Sequence, residues 1–199
     1  MPLSLSGKAS KETNYLDEEK GLGQYLSVFI IIDGYNLIRQ SSVLRRYELR
    51  SLEAGRQALL SRLNDYQLKK RYKITVVFDG RQEEEREEER DRYGGVDIIF
   101  SRCGEYADDV IKRLTAQSQE ETIVVSSDRE IADFAASLGK TALASVEFEN
   151  VMNKTIISSR DKRYPVAAVA GERNDVKKKG PARRLSKAQK KRQKIMKRL

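Results

Sequence analysis

Three short aliphatic stretches in this chain each run into an aspartate. Val28-Phe29-Ile30-Ile31-Ile32 precedes Asp33, and Ile74-Thr75-Val76-Val77-Phe78 precedes Asp79. Thr122-Ile123-Val124-Val125 leads through Ser126-Ser127 to Asp128. Runs of this length and β-branched content read as fully buried strands. If the strands are parallel, the three carboxylates leave the same end of one sheet, where open α/β sheets bind their ligands. Like charges brought together in a partly buried place raise each other's pKa. A divalent cation offsets that repulsion, and Mg²⁺ or Mn²⁺ prefers carboxylate oxygen and water. The sequence contains no histidine. That excludes Ser-His-Asp triads, Cys-His pairs, histidine bases and histidine metal sites, and leaves hard, oxygen-ligated metals as the natural candidates.

A fourth acid comes from Glu105-Tyr106-Ala107-Asp108-Asp109. In the helix that follows, Ala107, Val110, Ile111 and Leu114 set the buried direction. Asp108 lies about 100° from Ala107, at the edge of that face, and Asp109 about 200° away, toward solvent. Asp108 is therefore preferred as the site residue, with Glu105 intermediate. The competing reading is that each aspartate merely caps a helix or shapes a turn, for which Asp is well suited. Asp128 in particular is a good N-cap. Three such residues at parallel strand ends, joined by Asp108, argue for a site.

The elements needed to position these residues are legible in outline. Ser51 caps a helix reaching about Lys70, with Leu52, Leu59, Leu60, Leu63 and Tyr66 on one face. Gln82 to Arg92 is nearly all Glu and Arg and reads as a solvated helix or a mobile loop. Val96–Phe100 is a further strand. Asp128 caps a helix with Ile131, Phe134, Ala135 and Leu138 inside, closed by Gly139. Thr141–Ala144 is a short strand and Ser145–Val151 a last helix. Strands alternating with helices predict an α/β fold, a mostly parallel sheet covered on both faces.

Charge is distributed unevenly. The chain has formal net charge +9, yet Val176 to Leu199 alone holds twelve Lys or Arg and no acid, so the remainder carries −3. A block of like charge reads as an arm for a polyanion. We divide the chain into a flexible leader (1–26), one domain (27–153) and a basic C-terminal extension (154–199). RNA is preferred over a membrane as the arm's partner, because Leu185, Ile195, Met196 and Leu199 offer little apolar surface. Lys177, Lys178, Lys179, Arg183, Arg184, Lys190, Lys191 and Arg192 are the expected RNA contacts there, with Arg39 near the site. Cys103 is the sole cysteine; no internal disulfide is possible, and a small packed side chain is expected. The longest apolar run is far short of the ~20 residues that span a bilayer, and the N-terminal stretch lacks a signal-type apolar core. A cytoplasmic setting is expected.

Asp33-Gly34-Tyr35-Asn36 directly after an aliphatic strand resembles the opening of NYN domains, a branch of the PIN-like nuclease superfamily. Val77-Phe78-Asp79, Glu105 to Asp109 and Ser126-Ser127-Asp128-Arg129-Glu130 follow in the order and spacing of that family. The resemblance covers about Val28 to Val151 and is nearest to the YacP-like group of bacterial ribosome-associated endoribonucleases. It implies a PIN-like three-layer α/β/α domain and a metal-dependent endoribonuclease that acts on mRNA or rRNA, with the ribosome as partner. It also implies that Asp33, Asp79, Asp108 and Asp128 are catalytic and hold Mg²⁺ or Mn²⁺, with Asn36 as a polar positioning residue. Glu130 sits where many PIN-like domains carry a further Asp. Gly34 is read as permitting a close approach, Tyr35 as either base-stacking or core. Ser126 and Ser127 are read as helix caps or as partners of a metal-bound water.

Two rivals stand beside this reading. One is an RNA- or ribosome-binding module whose acidic site is weak or idle. The other is a phosphotransfer enzyme with an Asp nucleophile at the first strand, disfavoured because Tyr35 occupies the place where a second Asp would be expected.

Overall fold

The computed structural model describes residues 28–80, 88–158 and 186–199. The expected leader, residues 81–87 and the tail cations Lys177, Lys178, Lys179, Arg183 and Arg184 lie outside them. Among the described residues the order is β1 (Val28–Asp33), α1 (Gly34–Gln40), α2 (Leu44–Glu48), α3 (Leu52–Lys70), β2 (Lys73–Phe78), β3 (Glu89–Tyr93), β4 (Val96–Phe100), α4 (Ala107–Gln117), β5 (Glu121–Val125), α5 (Arg129–Ser137), β6 (Thr141–Leu143), α6 (Ser145–Ile157) and α7 (Lys187–Arg198).

The strands form one six-stranded sheet in the order β3-β4-β2-β1-β5-β6. Every pairing is parallel except that of β3 with β4. The period-2 alternation of a strand divides each apolar run between two cores. Val28, Ile30 and Ile32 of β1 join Ile74, Val76, Val96, Ile98, Ile123 and Val125 beneath α1, α3, α6 and α7. Phe29 and Ile31 join Val77, Ile99 and Val124 beneath α4 and α5. Runs apolar on both faces are what a central parallel strand requires, and the result is a three-layer α/β/α fold. Among the described residues no helix is long and apolar enough to cross a membrane.

Several local expectations are corrected. Leu52 is 48% exposed, so the buried face of α3 begins instead with Gly55 and Arg56. Leu138 is exposed too, leaving Ile131 and Ala135 as the buried face of α5. The end of the Glu-Arg stretch is neither helix nor loop: Glu89–Tyr93 is an edge strand with exposed, charged side chains, a composition that protects an edge from pairing with other chains. Cys103 is exposed rather than packed. Helix α6 continues beyond Val151 to Ile157.

Within the stretch read as a basic arm, Lys187–Arg198 forms helix α7, started by a Ser186–Gln189 capping box. Its few apolar residues are spaced for one face: Ile195 and Leu199 are each only 4% exposed and join the larger core. The hydroxyl of Tyr66 donates to the Leu199 carbonyl at 3.2 Å, while Tyr72 and Lys70 donate to that of Arg198. Replacing a buried Ile with Ala costs about 2–4 kcal/mol. Ile195→Ala is expected to lower the unfolding free energy in urea by that amount; a loss below about 0.5 kcal/mol would mean that α7 is not part of the cooperative fold.

Candidate active site

Register builds the site. Ile32 of β1 pairs with Val125 of β5, so the next residues, Asp33 and Ser126, come side by side. Both point to the face covered by α4 and α5, as Ile31 and Val124 do two positions earlier. The Ser126 hydroxyl donates to Asp33 Oδ2 at 3.0 Å and accepts from the Asp128 N–H at 3.1 Å. On the other side Asp33 pairs with Val77 of β2, two residues before Asp79. The carboxyl ends of three strands and the first turns of three helices therefore meet at one end of the sheet.

Each strand-end aspartate also serves a helix start. Asp33 Oδ1 accepts from the Asn36 N–H at 3.1 Å and caps α1. Asp79 Oδ1 accepts from the Ala107 N–H at 2.8 Å, the first residue of α4. Asp128 Oδ1 accepts from Glu130 and Ile131 and caps α5. The expected alternatives, cap or site, are thus not exclusive: a carboxylate has about four lone-pair positions, and the cap uses one or two of them. The helix N-termini also supply partial positive charge that offsets the crowding of carboxylates.

Asp108 sits in the first turn of α4, half-buried, while Asp109 is exposed and returns to the Tyr106 N–H at 3.4 Å. Burial pushes the Asp33 carboxyl up to about 6 against the two hydrogen bonds that lower it, and the charges of Asp108 and Asp79 push the same way. Asp108 is also raised, first by burial and then by Asp128; Lys112 pulls it back, and Asp79 and Glu130 add to the rise. Asp33 thus lies in the field of Asp108 and Asp79, and Asp108 in that of Asp79 and Asp128. Lys112, one turn beyond Asp108, is ion-paired with Glu130. Glu105 turns away to Arg102 and Arg113.

Asn36 is the hub of the polar network. Its Oδ1 accepts from the Ser127 N–H at 3.0 Å and from the Ser145 hydroxyl at 2.8 Å, and the Ser127 hydroxyl accepts from the Ser145 N–H. The backbone donor fixes which end of the amide is oxygen, so Nδ2 is the end that Asn36 can offer a ligand. Ser145, wholly buried, was not singled out by sequence, since a serine opening a helix carries no chemical signal. Arg56 was missed as well: it is 7% exposed, donates to the Tyr35 hydroxyl at 2.8 Å and lies over the Phe100 ring. Tyr35 is core, edge-on to Phe78. The close approach at Gly34 is to that same ring, which a Cβ would overlap. Arg39 is exposed, stacked over Tyr35 and paired with Glu48.

The donor set is all carboxylate, amide and hydroxyl. As they stand, no three acidic side chains among the described residues are close enough to be ligands of one ion. Mg²⁺ keeps several waters and typically takes only one or two carboxylates, so the cluster fits a hydrated cation rather than an all-protein cage.

The family of YacP-like NYN domains matches residues 30–198. The chain belongs to the YacP-like NYN domain family. The domain is thus of the nuclease type. Two crystal structures of Rae1 (YacP) from Bacillus subtilis share its fold. One is 24% identical, covering 69% of this chain and 79% of the other, with a TM-score of 0.55. The second, a point mutant, is 23% identical over 68% and 79%, again with a TM-score of 0.55. No curated protein matches in sequence.

The raised Asp33 carboxyl has a consequence for stability. Between its ordinary value of 3.8 and about 6, the folded NYN domain holds a proton that the unfolded chain has released. Stability therefore falls as pH rises through that window, and above it the charged carboxylate costs on the order of 2–3 kcal/mol. In chelator, Asp33→Asn is expected to be more stable than the parent at pH 8 and equal to it near pH 4, measured by urea unfolding. Equal stability at both pH values would contradict the raised carboxyl.

Proposed function

We propose that this NYN domain is a metal-dependent endoribonuclease that hydrolyses RNA phosphodiester bonds at the carboxyl end of its sheet. The observation that carries the reading is the convergence of Asp33, Asp79, Asp108 and Asp128, with Asp33 and Asp108 held above the ordinary carboxylate range partly by their neighbours' charge. Such mutual repulsion is relieved by a cation, and membership of a nuclease-type family supplies the chemistry to which the cation is put.

Asp33, Asp79, Asp108 and Asp128 would hold Mg²⁺ or Mn²⁺. Bound there, the ion would neutralise the phosphate, activate water and stabilise the leaving oxygen. The remaining residues act by placement. Ser126 and the α1 backbone clamp Asp33 from two sides, fixing its rotamer. Asn36, with its oxygen committed to Ser127 and Ser145, presents Nδ2 to a phosphate oxygen. Lys112 holds Glu130 at the rim, where further negative charge would otherwise meet the incoming backbone. That the RNA is mRNA or rRNA presented on a ribosome is part of the same proposal, supported by the likeness to the YacP-like group.

An RNA-binding module with an idle acidic site is the second reading, favoured by the absence of any three carboxylates within ligand distance of one ion among the described residues. Metal-titrated cleavage of defined RNAs, with and without ribosomes, separates the two. Asp33→Asn and Asp128→Asn are each expected to lower cleavage at least about 100-fold. Asn is as good an N-cap as Asp, so neither variant should melt below the parent. Parental cleavage by purified Asp33→Asn would defeat the nuclease assignment. Asn36→Asp keeps the oxygen that Ser127 and Ser145 need but replaces the donor with a charge. Its cleavage should fall on the order of 100-fold, as when a preorganised donor is removed, with the fold intact by circular dichroism.

A further inference from the structure

Helix α7 contains seven cations and no acid. At 100° per residue, Lys187, Lys190, Lys191, Lys194, Lys197 and Arg198 fall within an arc of about 120° beside the buried direction set by Ile195 and Leu199. All six are exposed. Two of them tether the helix: Lys191 Nζ donates to the Gly139 carbonyl at 2.6 Å, and Arg198 pairs with Glu121 at 2.7 Å. Arg192, off the arc, is ion-paired with Glu147. Lys187, Lys190, Lys194 and Lys197 remain, a row spaced at i, i+3, i+7 and i+10 with no ion pair to the body among the described residues.

The position of the row matters as much as its charge. Glu121 is the first residue of β5, Gly139 precedes β6, and Tyr72 and Lys70 precede β2. These contacts, made by Lys191 and the last residues of α7, are at the amino ends of the strands, the end opposite the aspartates, while Arg192 reaches Glu147 in the first turn of α6, beyond the carboxyl end of β6. Arg71 and Lys73 are exposed at the amino ends as well. The neighbouring acids detract little: Glu121 is occupied by Arg198, and Glu120 turns one carboxylate oxygen into the body.

We propose that α7 is a second RNA-docking face, which holds the sugar-phosphate backbone of a structured RNA on the side of the domain away from the acidic cluster. The partner is a polyanion of fixed shape. A rigid row of lysines with no exposed aromatic side chain matches phosphates and offers nothing for an unstacked base to lie on. The proposal takes from the preceding one only that the ligand is RNA. A single RNA that engages both faces must be long or folded enough to pass around the domain, so short oligonucleotides should gain little from α7.

The test is binding, measured in chelator so that no cleavage occurs and the result is independent of the nuclease reading. The full chain and Lys187→Gln/Lys190→Gln/Lys194→Gln/Lys197→Gln are titrated with a long structured RNA and with a short single-stranded oligonucleotide across a salt series. Removal of four phosphate contacts should reduce the slope of log affinity against log salt by about 3 for the structured RNA. The loss should be clearly smaller for the oligonucleotide. Ile195 and Leu199 are retained, and an unchanged melting temperature verifies that α7 is still docked. Unchanged slope and affinity for the structured RNA would overturn the proposal. So would equal losses on the two ligands, or equal binding of polyglutamate, which would point to an acidic protein instead.

Discussion

The parallel pairing of β1 between β2 and β5 is the constraint on which the rest depends. It sets Asp33 beside Ser126 and two steps from the level of Asp79, and it directs the strand end toward the layer formed by α4 and α5. Those helices begin where the strands stop, so their free N–H groups point at the carboxylates. The crowding of negative charge is tolerated because every aspartate at a strand end accepts from the first turn of a helix. The carboxyls of Asp33 and Asp108 are nonetheless pushed up, first by burial and then by their acidic neighbours. This balance of charge is what underlies the proposed role of a cation at the site, which is not built as a cage for one.

A second network fixes the first turn of α1. Asn36 gathers the β5–α5 connection and the start of α6 onto one oxygen, while buried Arg56 grips the neighbouring Tyr35 from α3. Elements far apart in the chain, from residue 35 to residue 145, thus agree on the placement of one short helix. Buried polar groups that are fully paired in this way stiffen a site, whereas losing one partner leaves the others exposed to a desolvation cost.

Much of this was legible in the residues. Aliphatic runs ending in Asp located β1, β2 and β5, and the wheel for α4 separated Asp108 from Asp109 on the correct sides. The information that was hidden is of two kinds. Arg56 and Ser145 lie in the interior although their types are usually at the surface; only tertiary pairing makes them affordable there. That α7 packs on the body of its own domain was obscured by its charge. Ile195 and Leu199, four apart, are the buried apolar part of its contact with the core, but in a segment dominated by Lys and Arg that spacing is too weak a pattern to stand out. Leu52 and Leu138 erred in the opposite direction, since an apolar residue at a helix end can complete a periodic pattern and still lie beyond the reach of the core.

The Asp33–Ser126 pairing also sets where this chain can change length. Side chains alternate between the two layers with each step along a strand. A single residue inserted into β1 or β5 would therefore not simply lengthen it; the Asp33 carboxylate in the first case, or the Ser126 hydroxyl in the second, would swing through the sheet to the layer of α3 and α6, away from its present partner. Over evolutionary time, the count of residues from Val28 to Asp33, and from Glu121 to Ser126, should stay the same among relatives of this protein.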